Sequence, residues 1–194
     1  MMLSPEVSAG GLAVAGLAGS IAVGLIFLTA GGQKLRHRAI LPGVIANYRI
    51  LPERLVGPLA AVLPVLEIAT GLALIAGVAP LPALTAILLL LLFAAAMAVN
   101  IARGRRQIDC GCGGPELRQA LSWVLVLRNL LLAALLLPRL LLSDAQSAFD
   151  QSALDLTPVD LFTAAAAGLG IFLAYMLFQT VGSLIAAHPV ASRR

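Results

Sequence analysis

Five long apolar segments, separated by shorter polar stretches, make up most of this chain. They lie at about 9–30, 56–78, 81–102, 119–142 and 158–187. Each is long enough to cross the hydrocarbon core of a bilayer, which takes roughly 20 residues of helix. The pattern therefore predicts an all-α fold: a polytopic membrane helical bundle with about five transmembrane helices, in a single membrane domain over residues 1–194.

The residues between the segments indicate how the helices connect. The short Pro-rich stretch at 79–82 predicts an antiparallel hairpin of the second and third helices. Thr157 is a suitable N-cap for the last helix, with Pro158 at its first position. Residues 41–54 mix charged and apolar side chains, which is typical of a short amphipathic segment on the membrane interface; an ordinary connecting loop fits the same pattern.

The composition indicates that lipid is the solvent of this chain. Of its 194 residues, 60% are hydrophobic and 11% are charged, with a mean hydropathy of +1.00. A soluble domain carries about a quarter charged residues. The net charge of +4 predicts no nucleic-acid partner, because most basic residues lie beside apolar segments, where they set topology and contact lipid headgroups. Residues 1–8 contain no Lys or Arg, so we expect an uncleaved first helix rather than a signal peptide.

The distribution of charge predicts the orientation in the membrane. Most of the 13 Lys and Arg residues fall in the loop after the first segment, the loop after the third segment and the C-terminal tail. Acidic residues dominate the loop after the fourth segment. The positive-inside rule then predicts a bacterial inner-membrane protein with its N-terminus outside and its C-terminus in the cytoplasm. It also predicts that the loop at 103–118 opens toward the cytoplasmic half.

The two cysteines of the chain stand two residues apart in this loop and are the leading candidates for chemistry. Cys110 and Cys112 flank Gly111 and follow Asp109. A bridge between them closes a very small ring, so the disulfide is expected to be strained and easily reduced. The spacing thus predicts a dithiol/disulfide redox element. An inert loop disulfide or a soft-metal site for Cu(I) are alternatives, although the loop offers no further His, Met or Cys.

Three polar residues fall near the middle of apolar segments. Glu67 lies in the second segment, and Arg128 and Asn129 lie in the fourth. A charge at that depth costs about 2.5–3.5 kcal/mol on insertion scales, so it should face protein and have a partner. We therefore predict that Glu67 and Arg128 pair inside the bundle. The pair either fixes the register of the helices or acts as a charge relay below the cysteine loop.

Short motifs between residues 15 and 140 resemble a known family of membrane proteins. The motifs are Gly32-Gln33-Lys34-Leu35, Ala46-Asn47-Tyr48-Arg49-Ile50-Leu51-Pro52, Leu63-Pro64-Val65-Leu66-Glu67, the run from Arg103 to Gly113, and Leu121-Ser122-Trp123-Val124-Leu125-Val126-Leu127-Arg128-Asn129. Together they resemble the methylamine-utilisation protein MauE family, within the wider DoxX-like group. The Asp-Cys-Gly-Cys element, followed by Ser-Trp and Leu-Arg-Asn, is the most specific part. The resemblance implies a DoxX-like four-helix core plus one extra helix.

The resemblance also implies a role in producing methylamine dehydrogenase. Proteins of this family are associated with export, disulfide formation or maturation of its disulfide-rich small subunit, alongside a thioredoxin-like partner of the MauD type. The implied function is an inner-membrane maturation factor that uses Cys110 and Cys112 for thiol–disulfide exchange. Residues that would support the exchange are Asp109, Gly111, Glu67, Arg128 and Asn129. Any enzymatic activity of the protein would be limited to this exchange.

No bound cofactor is predicted, yet the redox interpretation has a gap. One dithiol exchanges with one partner but cannot relay electrons across a bilayer alone, so a second redox element has to come from a partner thiol pair or a quinone. Two other interpretations stay open: a small transporter or soft-metal-handling membrane protein, and a non-catalytic assembly scaffold.

Overall fold

Helices, most of them long, build the described part of the computed structural model, which comprises residues 5–78, 80–108, 110, 119–142 and 157–187, with side chains described between residues 10 and 184. The helices are α1 (Pro5–Arg36), α2 (Leu41–Asn47), α3 (Glu53–Ile75), α4 (Leu81–Ala102), α5 (Trp123–Leu135), α6 (Leu137–Leu141) and α7 (Pro158–Ala187). Five stretches are long and apolar enough to cross a membrane, with α5 and α6 together forming one of them. The predicted fold class, a polytopic helical membrane bundle, is confirmed.

Helix α1 lies at the centre of the bundle and packs against α3 and α7, while α4 packs against α5. The contact between α1 and α3 is close because glycines face each other there. A Cβ atom at Gly24 would lie 2.9 Å from the backbone oxygen of Gly71, and one at Gly71 would lie 2.7 Å from the backbone oxygen of Gly24. Small residues thus let two backbones meet, which is the usual basis of helix association in lipid.

Two helices differ in their bounds from the apolar segments. Helix α1 continues to Arg36, beyond the predicted end near residue 30, because Gly31 is accommodated in the helix against the backbone of Pro64. Helix α5 begins at Trp123, after an extended stretch that includes Ser122, and the chain turns at Leu136 before α6. Pro138, in the first turn of α6, explains the second break, since proline lacks the backbone N–H that would continue α5.

The outer ends of the bundle are closed by specific polar contacts. The side chain of Arg139 is buried, with 4% exposure, and donates a hydrogen bond to the backbone oxygen of Gly77 in the α3–α4 turn, where Gly77 has a φ of 78°. At the start of α7, Thr157 acts as the N-cap as predicted. Its hydroxyl accepts from the backbone N–H of Asp160, and its own backbone N–H donates to the Asp160 carboxylate at 2.9 Å.

The segment at 41–54 contains the short helix α2, whose Leu41 is buried and which contacts α3. Arg49, just after the helix, has a positive φ of 48° and turns the chain toward α3. The apolar side of this segment faces a cavity in the bundle, so the segment covers one end of the helices.

Candidate functional site

The base of the cysteine loop is packed between helices α4 and α5. Cys110 is 9% exposed and belongs to an apolar cluster with Met97, Leu121 and Leu125. Its backbone N–H donates to the backbone oxygen of Gln119 at 3.0 Å, which closes the loop where its two ends meet. Cys110 is therefore held in a fixed position within the protein. Asp109, Gly111 and Cys112, the other predicted residues of this loop, lie outside the described residues.

Residues after α2 hold the same loop from a second side. The hydroxyl of Tyr48 donates to the backbone oxygen of Cys110 at 3.1 Å. The guanidinium of Arg105 donates to Asn100 Oδ1 at 3.0 Å and to the backbone oxygen of Asn47 at 2.7 Å. Asn100, at the end of α4, is completely buried. The motif around Tyr48 and the cysteine motif, distant in sequence, thus form one structural unit.

Helix α7 supplies a third support, which the sequence analysis did not identify. Gln119 Nε2 donates to the backbone oxygen of Gln179 at 2.7 Å, and Arg128 Nη1 donates to Gln179 Oε1 at 2.8 Å. Gln179 Nε2 in turn donates to the hydroxyl of Tyr175 at 3.2 Å. The guanidinium of Arg128 lies 5.0 Å from the centroid of the Tyr175 ring, within the range of a cation–π contact. Arg128 therefore faces protein, where a polar side chain and an aromatic ring contact its charged group.

Glu67 forms a salt bridge with Lys34, a residue that was not predicted at this depth, and the predicted pairing of Glu67 with Arg128 stays a prediction. Lys34 Nζ lies 2.8 Å from Glu67 Oε1, and the two side chains are 11% and 2% exposed. Lys34 reaches this depth because α1 is longer than predicted, so that its last turn lies in the bundle beside the middle of α3. Lys34 also lies over the ring of Phe93, 5.7 Å from the centroid.

These groups meet around one cavity of about 410 Å³. Its wall includes Cys110, the Lys34–Glu67 pair, Arg128 and Asn129, so the structure brings together four of the seven residues predicted as functional. Asn129 is buried and donates from Nδ2 to the backbone oxygen of Leu125 at 3.0 Å. The arrangement places a buried sulfur next to a low-dielectric space that also contains an acid and two cations. No group of three or more His, Cys, Asp or Glu residues that could hold a metal occurs among the described residues.

Several residues of the site carry weak signals in the sequence. Gln179 and Tyr175 are polar residues four apart in an apolar helix, a spacing that places them on one face. Gln119 stands at the edge of an apolar segment, where a polar residue is ordinary. Lys34 comes shortly after Gly31 and Gly32. Paired glycines favour the end of a helix, but these two lie within α1.

Comparison with known proteins identifies the family. Residues 12–142 match the family described as methylamine utilisation protein MauE. The chain is 48% identical to the methylamine utilization protein MauE of Paracoccus denitrificans over 59% of its own length and 62% of that protein. It is 44% identical to the protein of that name in Methylorubrum extorquens, over 56% of this chain and 59% of that protein.

A third relative is covered more fully. The methylamine utilization protein MauE of Paracoccus versutus is 40% identical over 84% of this chain and 85% of that protein. No solved structure matches the chain. The family match covers the cysteine loop and every helix of the bundle except α7. On these findings, the chain belongs to the MauE family of multi-pass membrane proteins.

Proposed function

We propose that this protein is an inner-membrane maturation factor in methylamine utilisation that donates a disulfide to a partner through Cys110 and Cys112. Membership of the MauE family supports the pathway, because the matched relatives carry methylamine utilization in their names. The thioredoxin-like partner and the secreted client, such as the small subunit of methylamine dehydrogenase, belong to this proposal.

The burial of Cys110 in an apolar cluster, with its backbone held by hydrogen bonds, is the observation that carries the proposal. The position of this residue is fixed by its backbone N–H bond to the Gln119 carbonyl, by the bond from the Tyr48 hydroxyl and by the packing of α4 against α5. An incidental surface cysteine would have no such support. The guanidinium of Arg105 lies in the same unit and adds positive charge to this end of the bundle.

The chemistry proposed is a two-step exchange. A partner thiolate attacks one sulfur of the Cys110–Cys112 disulfide, whose bond breaks as a mixed disulfide forms. The second thiolate of the partner then attacks the mixed disulfide, so the partner becomes the disulfide and this protein becomes the dithiol. The small ring of a Cys-x-Cys disulfide favours this direction, because strained disulfides have more oxidising potentials.

Orientation and side are part of the same proposal. The positive-inside rule places the N-terminus outside, the C-terminus in the cytoplasm and the cysteine loop toward the cytoplasmic half. Arg103 and Arg105 support this arrangement, because both lie at the loop end of the bundle with hydrogen bonds to residues 47–49. The basic residues of the two loops therefore form one positively charged end.

Single and double Cys→Ser variants test the exchange. In a methylotroph lacking its own MauE protein, the wild-type chain should restore growth on methylamine, and the double Cys110→Ser, Cys112→Ser variant should not. A single variant should trap a mixed disulfide with the partner, visible on a non-reducing gel and identifiable by mass spectrometry. Thr163→Ala is a suitable control, because this exposed hydroxyl only bonds to its own helix at the backbone oxygen of Val159.

Growth of the double variant at the wild-type rate would contradict the proposal. It would favour the interpretation of the protein as an assembly scaffold. Retention of Cu(I) by the purified wild-type protein, lost in the double variant and without any mixed disulfide, would favour metal handling instead.

A further inference from the structure

The cavity beside Cys110 has the size and composition of a binding site for a small amphipathic molecule. Its volume is about 410 Å³, within the range of about 300–1,000 Å³ that is usual for ligand pockets. Most of its wall is apolar, with contributions from α1, α3, α4 and α5, and α7 adds Tyr175. Pockets of this kind bind apolar bodies and use a few polar groups to orient them.

The polar side chains of the wall are two cations, two hydroxyls, one amide and one carboxylate, and they already bond to other parts of the protein. The ammonium of Lys34, the guanidinium of Arg128 and the hydroxyls of Tyr48 and Tyr175 all belong to wall residues, and Glu67 is the acidic residue among them. With two cations against one carboxylate, the wall is positively charged, and in a low-dielectric space this favours a ligand with oxygens on which negative charge can develop. A carbonyl-bearing ring satisfies both conditions better than a plain hydrocarbon chain.

Some residues of the cavity wall also belong to the apolar surface of the bundle. Leu59 of α3 and Leu92 of α4 line the cavity and are also 36% and 54% exposed on the outside of the protein. Ile50 and Leu51, before α3, also line the cavity and are exposed on the outside of the protein. In a membrane protein, apolar side chains exposed at this depth contact lipid. A ligand entering between α3 and α4 therefore comes from the bilayer and has to be lipid-soluble.

We infer that the cavity binds the ring of a membrane quinone, which reoxidises the Cys110–Cys112 dithiol. The inference rests on the proposed function, since a disulfide donor needs a two-electron acceptor to work again. In the reaction, the two S–H bonds break, one S–S bond forms, and two electrons and two protons pass to the quinone, which becomes a hydroquinone. The place of Cys110 in the cavity wall is what connects the thiol chemistry to this acceptor.

The charged pair in the wall gives the protons a defined environment. Lys34 and Glu67 are joined at 2.8 Å in the wall of the same cavity. The ammonium of Lys34 can bond to a quinone oxygen and stabilise the negative charge that develops there while the two thiol protons are transferred. Both residues lie outside the cysteine loop, so in this reaction they act on the quinone and not on the thiols.

A cavity-filling variant tests binding directly. Ala96 lines the cavity, whereas its neighbour Ala95 is exposed on the outer face of α4. We expect purified wild-type protein in lipid nanodiscs to bind about one equivalent of a short-chain ubiquinone analogue. Ala96→Phe should weaken this binding at least about tenfold by occupying the space, and Ala95→Phe should bind like the wild type. Thermal melts of both variants show whether the fold is retained.

A second readout separates this inference from the proposed function. Wild-type dithiol protein should convert the analogue to hydroquinone, followed by the loss of its absorbance, while Cys110→Ser should bind the analogue without reducing it. Absence of binding, equal binding by Ala96→Phe and wild type, or a phospholipid retained in the cavity by native mass spectrometry would overturn the inference. Quinone reduction without any mixed disulfide with a thioredoxin-like protein would overturn the proposed function and leave the quinone site standing.

Discussion

Replacing Lys34 with Met should destabilise the protein more than replacing Glu67 with Gln, although both changes break the same ion pair. The carboxylate of Glu67 is 2% exposed, at the middle of α3, so Lys34→Met removes the lysine that compensates a buried charge. Removing one partner of a buried pair costs about 3–5 kcal/mol. Lys34 is 11% exposed and lies in the last turn of α1, so its long side chain can reach the aqueous boundary in Glu67→Gln. We expect that change to cost about 1–3 kcal/mol.

Titration of the purified variants with sodium dodecyl sulfate in mixed micelles, followed by circular dichroism, gives the free energy of unfolding. The double variant Lys34→Met, Glu67→Gln should be no less stable than Lys34→Met alone, because it removes the carboxylate that Lys34→Met leaves without its lysine. Arg36→Met, a change at an exposed basic residue in the same turn, should alter stability by less than about 0.5 kcal/mol. Equal losses in the two single variants, or additive losses in the double variant, would refute this reasoning.

Three further outcomes follow from the structure. Gly24→Ala should cost about 1–3 kcal/mol in the same titration, because the added Cβ meets the backbone of α3 at 2.9 Å, whereas Gly32→Ala, with nothing within 4 Å, should be neutral or stabilising. Tyr48→Phe, which removes the hydrogen bond to the backbone of Cys110, should speed the reaction of that thiol with a maleimide without abolishing folding; an unchanged rate would show that this bond does not restrain the loop. A membrane-impermeant maleimide, added after mild reduction, should label Cys110 or Cys112 in inverted vesicles and not in intact cells; strong labelling of intact cells would reverse the proposed topology.

Hydropathy and local capping rules account for the part of the fold that the sequence predicts well. Helix α4 is a continuous apolar run between Pro80 and Arg103, so its pattern leaves little choice of bounds. The start of α7 is equally clear, because Thr157 and Asp160 can satisfy each other as soon as a helix begins. Both signals are local, and local signals need no knowledge of the neighbouring helices.

The partners of the buried charges could not be predicted in the same way. Glu67 required a cation at its depth, and the depth of Lys34 depends on whether α1 stops at the two glycines or passes through them. That choice is made by the packing of Gly31 against Pro64, a contact between distant parts of the chain. The role of Gln179 similarly depends on where α7 docks, which no pattern within α7 specifies.

Because Gln119 is anchored on α7, the last helix matters when segments are exchanged between members of the family. The family match ends at residue 142, yet the cysteine loop inside it is held by a helix that begins at Pro158. The acceptor is the main-chain oxygen of Gln179, and Gly182 leaves the space that the Gln119 side chain needs. A grafted last helix would therefore preserve the anchor with many different residues at position 179, provided that position 182 stays small. Such a chimera would lose the contacts of Arg128 with the side chains of α7, whereas the anchor of the cysteine loop on the main chain of α7 would be kept.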